Sequence, residues 1–474
     1  MWNFSQKIAV AELPSASYME GSGDSGQIVE AVNRVAEDLG WSAVEQGPFG
    51  KIIPHGARVL IKPNFVMHEN QGPWGIEPLV THPSLIRYTV EAALRAEVSE
   101  VIVGDAPLQS CDFERLLAET GLGVWAEKLM KADSRFKGMR DLRRTTCAIV
   151  DGVRIASENR QPEDQFVLFD LGHESLLEPI TNDRKALRVT CYDPRLLAKT
   201  HAPGRHQYLV SRDVIAADVV INLPKLKTHK KAGLTCALKN LVGINGNKEY
   251  LPHHRLGGSD RGGDCYPGNS LIKRANERVA DAQNMTASLT MGKLWQGAAL
   301  QLDRLTRLAG DELGIEGAWM GNDTVWRMCL DLNRILLYGK SDASMSGDVQ
   351  RQVIHLTDAV IAGHGDGPLA PQPLALGLIL AGTNAAAMDF VGAHLLGYAP
   401  ERIPIVREAF QRFSYPLTSF GPDDVVLSGD IGQGNAREIL WARRTPQAIV
   451  YPAGWRGAVT EHNQGFQGNS VTRG

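Results

Sequence analysis

A basic segment from Asn222 to Gly263 holds the side chains best suited to binding an anion. It carries eight Lys and Arg residues against two acids, Glu249 and Asp260, so its local charge is +6 in a chain of formal charge −3. The segment follows a strand-like run and precedes a helix-like run, which predicts a loop that binds carboxylate or phosphate at a helix N-terminus. A solvated basic loop is the alternative. The motif G-x-x-x-x-G-K-[ST] is absent, so we expect no P-loop nucleotide site.

Individual roles within this segment follow from side-chain chemistry. Proton transfer is assigned to His229, or to a neutral lysine such as Lys239, because neighbouring positive charge favours the uncharged amine. Lys239 is also expected to help hold the anionic group. A surface or core position is the alternative for any single histidine. The further expected substrate contacts are Lys225, Lys227, Thr235, Asn240, His253 and His254.

A second set of polar residues lies at the ends of two strand-like runs. Lys62 and Asn64 end the run 57–65, and Asp105 ends the run 100–105. Ligands of open α/β sheets bind beyond the carboxyl ends of the strands, so we expect these residues to share a crevice with the basic loop. Lys62 and Asn64 would bind substrate and Asp105 would be catalytic. A simple turn role is the alternative for Asp105.

Two aspartates near the carboxyl end suggest a divalent metal ion. Asp366 lies among the glycines of 363–368, and Asp389 lies near the start of a helix-like run. Paired carboxylates are suitable ligands for a hard divalent ion beside an anionic substrate. Turn chemistry for Asp366 and a helix-dipole interaction for Asp389 are the alternatives.

Composition excludes several classes of protein. Hydrophobic residues make up 43% of the 474-residue chain, which favours a substantial folded core. None of the six cysteines forms a C-x-x-C pair, which argues against a thiolate zinc site, a self-contained iron–sulfur cluster or a disulfide framework. No apolar run is long enough to span a membrane, no signal peptide is evident, and the net charge gives no argument for nucleic acid. We therefore expect a soluble, cytoplasmic protein.

The elements that must position these residues predict an α/β fold. A strand over 57–65, a helix that Thr81 would cap and a strand over 100–105 form a βαβ unit, which implies a largely parallel sheet. Further strands are predicted over 218–224 and 374–382, with helix-like runs over 234–243 and 401–413. The predicted organisation is an N-terminal α/β segment (1–130), a mixed region with the basic loop (131–269), a helical insertion (270–345), a C-terminal α/β segment (346–453) and a flexible tail (454–474).

These motifs resemble the family called domain of unknown function 362. The matching pieces are Ile61–Asn64, Thr81–Pro83, Val103–Asp105, Asn222–His229, Gly233–Asn240 with Gly243, Gly365–Pro368 and Asp389. The resemblance implies a fold and a site more than a reaction. Many relatives carry a ferredoxin-like iron–sulfur module that has no cysteine set here. The family usually has a small residue at the position of Cys236, so that thiol is a candidate nucleophile. A weaker similarity to the nickel-pincer lactate racemase superfamily would suggest proton or hydride chemistry on a small carboxylate.

Together these observations predict a biosynthetic enzyme for a small phosphorylated or carboxylated metabolite, with acid–base chemistry assisted by a divalent metal. Two alternatives stay open. One is a redox protein that works with a separate iron–sulfur electron-transfer partner, and the other is a non-catalytic anion-binding protein. An oligomer is compatible with the sequence.

Overall fold

The structure is a computed structural model, and it describes residues 4–18, 26–150, 153–156, 161–183, 185–286, 288–443 and 448–461. The strands in these ranges are β1 (Lys7–Glu12), β2 (Arg58–Pro63), β3 (Glu100–Asp105), β4 (Phe136–Asp141), β5 (Cys147–Val150), β6 (Val153–Ala156), β7 (Phe166–Asp170), β8 (Leu187–Arg188), β9 (His201–Ala202), β10 (Arg205–Ser211), β11 (Val219–Leu223), β12 (Lys225–His229), β13 (Gly233–Thr235), β14 (His254–Arg255), β15 (Gln352–Asp366), β16 (Ala370–Gly382), β17 (Val426–Gly429) and β18 (Gly434–Asn435).

The helices in the same ranges are α1 (Gln27–Asp38), α2 (Pro83–Arg95), α3 (Phe113–Glu119), α4 (Leu122–Ala132), α5 (Pro194–Thr200), α6 (Arg212–Ala216), α7 (Ala237–Asn240), α8 (Leu271–Met285), α9 (Leu289–Leu308), α10 (Val325–Tyr338), α11 (Ala385–Leu395), α12 (Pro404–Glu408) and α13 (Ala436–Ala442). In the part of the chain that the structure describes, no helix combines the length and the apolar character needed to cross a membrane.

An eleven-stranded sheet forms the centre of the fold. Its main path runs β18-β17-β1-β16-β15-β11-β2-β3-β4, with β12 attached to β15 and β13 attached to β12. The run from β15 through β11, β2 and β3 to β4 is parallel, as the βαβ pattern predicted, whereas β16 pairs antiparallel with β1 and β15. The α/β fold class and the mostly parallel sheet are therefore confirmed.

The sheet separates two apolar layers. Leu60 and Val220 are buried in one cluster, whereas their neighbours Val59 and Ile221 are buried in the other. Successive side chains of a strand point to opposite faces, so strands with both faces buried become continuous apolar runs. The strand ends beyond these runs are free to present polar side chains.

Several element boundaries differ from the predictions. Helix α2 is capped by His82, whose Nδ1 accepts from the Ser84 N–H at 3.3 Å, and not by Thr81. The Thr81 hydroxyl instead donates to the Leu223 carbonyl at 2.6 Å, joining α2 to the sheet. The helix predicted over 401–413 is only α12 (Pro404–Glu408).

The predicted helical insertion (270–345) and the predicted flexible tail (454–474) each contain a part that is buried in the fold. Within 270–345, α8 and α9 pack against each other, whereas α10 is almost entirely buried in the main core. In the predicted flexible tail 454–474, residues 454–461 are described and Trp455 is fully buried, donating its indole N–H to the Lys230 carbonyl. The remainder of that segment lies outside the described residues.

Candidate functional site

A buried ion pair lies where β2 and β3 end. Lys62 donates to Asp105 Oδ1 at 2.7 Å and to Asn240 Oδ1 at 3.2 Å, and all three side chains are buried. Asp105 Oδ2 accepts from the backbone N–H of Phe65 at 2.7 Å. Parallel pairing of β11 with β2 places Asn222 beside Lys62, and Asn222 Oδ1 in turn accepts from Asn240. The strand ends and the basic segment therefore meet in one place.

Gly243 allows this close approach. A Cβ atom at this position would lie 2.0 Å from Asp105 Oδ1 and 2.7 Å from Lys62 Nζ. The Gly243 carbonyl also accepts from the Ala106 N–H at 2.9 Å. Because real Cβ atoms do not approach other atoms so closely, only glycine permits the backbone to pass over the ion pair at this point.

The hairpin of β12 and β13 contributes a second group of side chains. Lys227 lies opposite Thr235, and His229 opposite Gly233, so Lys227, His229 and Thr235 share one face of the hairpin. Lys227 is fully buried and donates to the Leu79 carbonyl. Burial, with the charges of Lys225 and Lys239, holds the pKa of Lys227 well below its usual value. Among the described residues, the buried Thr235 hydroxyl has no hydrogen-bond partner.

Two histidines at the site are held in opposite tautomers. His229 Nδ1 accepts from the backbone N–H groups of Lys231 and Ala232 at 3.0 and 3.2 Å, so the proton of the neutral ring is on Nε2. His253 Nδ1 lies 2.7 Å from the Leu251 carbonyl, which can only accept, so the His253 proton is on Nδ1. Burial holds both pKa values well below the usual range, and the charge of Lys239 lowers both further.

Two further lysines complete the cluster. Lys239 is partly exposed, and its ammonium has no partner in the described part of the chain. Burial lowers its pKa, and so does the charge of Lys231. Lys248 donates to the Ala106 carbonyl at 2.7 Å, and burial lowers its pKa to about 7. Lys248 is one of the eight basic residues of the segment 222–263, and no individual role was predicted for it, although the local charge of that segment was a signal for it.

The cluster has more cations than acids. Lys62, Lys227, Lys239 and Lys248 affect one another electrostatically, and the carboxylate that acts on three of them is Asp105. A buried cation without a counter-ion is unfavourable, and it responds by losing its proton or by binding an anion. The arrangement is suited to holding a group of more than one negative charge.

Other predicted residues lie in different surroundings. Lys225 is fully buried, pairs with Asp358 Oδ2 at 2.7 Å, and donates to the Tyr18 hydroxyl at 2.7 Å, so its charge is already compensated. Asn64 and His254 are buried, each with one polar side-chain atom that has no partner within the described ranges.

The two aspartates predicted to bind metal are in unlike environments. Asp366 is exposed and pairs with Lys230 at 3.3 Å. Asp389 is fully buried, and its Oδ1 accepts from the Leu238 N–H at 3.1 Å, so its carboxylate occupies the N-terminus of α7 that was expected to bind the ligand. Burial raises the pKa of Asp389 to about 7. The described residues contain no group of three or more His, Cys, Asp or Glu side chains arranged to hold a metal ion.

Cys236, the candidate nucleophile, is fully buried. Its sulfur lies 3.8 Å from both the Thr357 hydroxyl and the Met388 carbonyl. Burial, with the nearby Asp389, raises the pKa of the Cys236 thiol well above its usual value. The thiolate required of a nucleophile is therefore disfavoured.

Comparisons with known proteins identify a family and one distant structure. The family described as "Domain of unknown function (DUF362)" matches residues 59–163 and 170–394, which include all of the lysine cluster. A crystal structure of a protein from Thermotoga maritima is similar at 10% identity and a TM-score of 0.31, covering 75% of this chain and 56% of that one. The chain thus spans little more than half the length of that protein. No curated protein matches the sequence.

Proposed function

Because the chain belongs to the DUF362 family, whose description states no activity, we propose a function from the site itself: an enzyme that binds a small phosphorylated or carboxylated metabolite and moves a proton on it. The observation that carries this proposal is the group of four lysines around Asp105, buried or partly buried, with fewer carboxylates than ammonium groups.

A bound anion would supply the negative charge that the lysine cluster lacks. Lys227 is bonded only to a backbone carbonyl and Lys239 has no partner in the described residues, so neither lysine has a carboxylate that compensates its charge. Charge-assisted hydrogen bonds in a site sheltered from water are about twice as strong as neutral ones. The unpartnered Thr235 hydroxyl adds a neutral donor on the same face as Lys227.

Acid–base chemistry is supported by the two neutral histidines. Both lie within electrostatic range of Lys239, and neither ring has a partner at Nε2 among the described side chains. Neutral imidazoles beside a bound anion are suited to donating or accepting a proton at neutral pH. The proposal requires no metal ion, and the expected roles of Asp366 and Asp389 as metal ligands stay predictions.

Titration calorimetry with sodium sulfate and with inorganic phosphate tests the anion site. We expect Lys239→Met to weaken binding by at least about tenfold, because a hydrogen bond between charged groups is lost. Lys128→Met, at an exposed position of α4, is the matched control and should bind like the wild type. Unchanged affinity in Lys239→Met would refute the assignment.

Turnover separates an enzyme from a non-catalytic anion-binding protein. A mixture of small phosphorylated and carboxylated metabolites is incubated with the protein in D2O and followed by NMR for conversion or deuterium uptake. Conversion or uptake that His253→Leu abolishes supports the enzyme. Binding without either change supports the non-catalytic alternative.

A further inference from the structure

Helix α9 presents a stripe of mostly apolar side chains to solvent. The stripe, called the α9 seam below, consists of Met291, Leu294, Ala298, Gln301, Leu305 and Leu308. Its three leucines expose 62%, 51% and 84% of their surface, in chain order. The helix has a different inner face, formed by the less exposed residues Trp295, Ala299, Leu302 and Thr306. Packing against α8 therefore leaves the seam uncovered.

The spacing within the α9 seam is that of a coiled coil. Successive members are three, four, three, four and three positions apart, which is the heptad pattern that keeps one edge of a helix against a partner helix. A helix that lies on a lipid surface instead has one wide apolar face and a strongly polar face opposite it. Since α9 has a narrow stripe and an opposite face packed on its own protein, a second helix fits it better than a membrane.

We infer that the α9 seam binds the α9 seam of a second copy of this chain, with the two helices antiparallel about a two-fold axis. An interface on such an axis must be complementary to itself. An axis between positions 299 and 300 meets this condition, because it pairs every member of the seam with another member. The pairs across the axis are Met291 with Leu308, Leu294 with Leu305, and Ala298 with Gln301.

The charges beside the seam fit the same arrangement. Arg304 flanks the seam, and the two-fold axis places it close to Gly297 of the second copy, where a Cβ atom would have nothing within 4 Å. The other cations exposed on this helix, Lys293 and Arg307, lie about 100° or more around the helix from the middle of the seam. The antiparallel pair therefore brings no like charges together across the seam.

A parallel pair fits less well. It would place Gln301 against Gln301, with two amides in the centre of the interface, and Ala298 against Ala298, with a gap beside them. A polar residue within a seam selects among such arrangements. In the antiparallel pair the long Gln301 side chain covers the small Ala298, so both defects are avoided.

The size of the seam sets the strength of the dimer. A standard interface takes about 20–30 residues from each partner, and the seam with its flanking positions supplies roughly half as many. We therefore expect a reversible dimer with a dissociation constant in the micromolar range, about 1–100 µM.

Sedimentation velocity of the full chain from about 1 to 200 µM covers that range. We expect wild-type protein to pass from monomer to dimer, and Leu305→Glu to stay monomeric throughout. Leu300→Glu is the matched control, because Leu300 is 54% exposed on the same helix but lies outside the seam. It should dimerise like the wild type. A monomeric wild type at every concentration, or equal disruption by both variants, overturns the inference.

Cysteine cross-linking tests the direction of the two helices. The background is Cys191→Ser, which removes the exposed native cysteine and leaves the five buried ones. Under a mild oxidant, a mixture of Ala298→Cys and Gln301→Cys proteins should form a disulfide-linked dimer much faster than either protein alone. Equally fast cross-linking of each protein with itself overturns the antiparallel arrangement.

Flotation with vesicles of phosphatidylcholine and phosphatidylglycerol tests a lipid surface as the other occupant. We expect wild-type protein to remain unbound. Flotation that Leu305→Glu abolishes and Leu300→Glu retains would assign the seam to an anionic membrane and overturn the dimer.

Discussion

Lys248 offers the sharpest test of the buried lysine cluster, because its folded-state pKa is about 7 against an ordinary 10.5. At about 1.4 kcal/mol per pKa unit, that difference means the folded protein disfavours the charged form by roughly 5 kcal/mol. Since the folded pKa is the lower one, the penalty is complete below about pH 7. It is lost as the pH rises towards 10.5, where the unfolded lysine also becomes neutral.

Lys248→Met removes this penalty but leaves the Ala106 carbonyl without its donor, which costs about 1–3 kcal/mol. The variant should therefore be more stable than the wild type by roughly 2–4 kcal/mol at pH 6, where the penalty is nearly complete. It should be less stable above the pH where the two terms cancel, at about pH 9. Urea denaturation between pH 6 and 10.5 measures both curves. A variant that is less stable at every pH would refute the pKa of Lys248 and the cationic site built on it.

The same ammonium should control anion binding. Sulfate keeps its charge throughout this range, so its affinity reports on the protein alone. If the bound form requires charged Lys248, the wild-type Kd should rise about tenfold from pH 6 to pH 8. Asp389, whose pKa is about 7, ionises in the same window but is retained in Lys248→Met. The pH dependence that the variant loses therefore belongs to Lys248.

Two further predictions concern the packing of the site. Gly243→Ala places a methyl group 2.0 Å from Asp105 Oδ1, so it should lower both the stability of the protein and its affinity for sulfate. The control is Gly297→Ala in α9, where a new Cβ atom has nothing within 4 Å. Urea denaturation should show that this control stabilises the protein by up to about 1 kcal/mol. In the native protein, iodoacetamide should alkylate the exposed Cys191 but not the buried Cys236, as mass spectrometry can show. Rapid alkylation of Cys236 would contradict its burial and its raised pKa.

The part of the site that the sequence predicted is the part fixed by strand ends. Lys62 and Asp105 follow apolar runs, and parallel strands bring their carboxyl ends to one edge of the sheet. The positions of Lys239 and Asn240 could be predicted in the same way, because α7 follows strand β11 and the β12–β13 hairpin. For these residues, an apolar strand-like run and the rule that parallel strands end at one edge of the sheet were sufficient to predict their position.

The remainder depended on partners that are distant in the chain or invisible in its pattern. Lys225 was predicted to bind substrate, but a residue of the long strand β15, Asp358, compensates its charge. Asp389 was predicted to bind metal, but it accepts from α7. The tautomers of His229 and His253 depend on which backbone groups face Nδ1. Those backbone partners are set by the folded conformation of the loop and cannot be read from its sequence.

The positive charge held at this edge of the sheet has an energetic cost. Removing each ammonium group from water on folding costs free energy, so the charged cluster lowers the stability of the protein when no anion is bound. A ligand that binds only the folded state offsets that opposition, and its affinity grows because the lysines are already in place and need no ordering. Gly243 lets the backbone cover the Lys62–Asp105 pair, which keeps one carboxylate engaged and leaves Lys227, Lys239 and Lys248 without a carboxylate partner of their own. In the proposed function, charge that destabilises the unliganded fold would thus be the source of affinity for the anion.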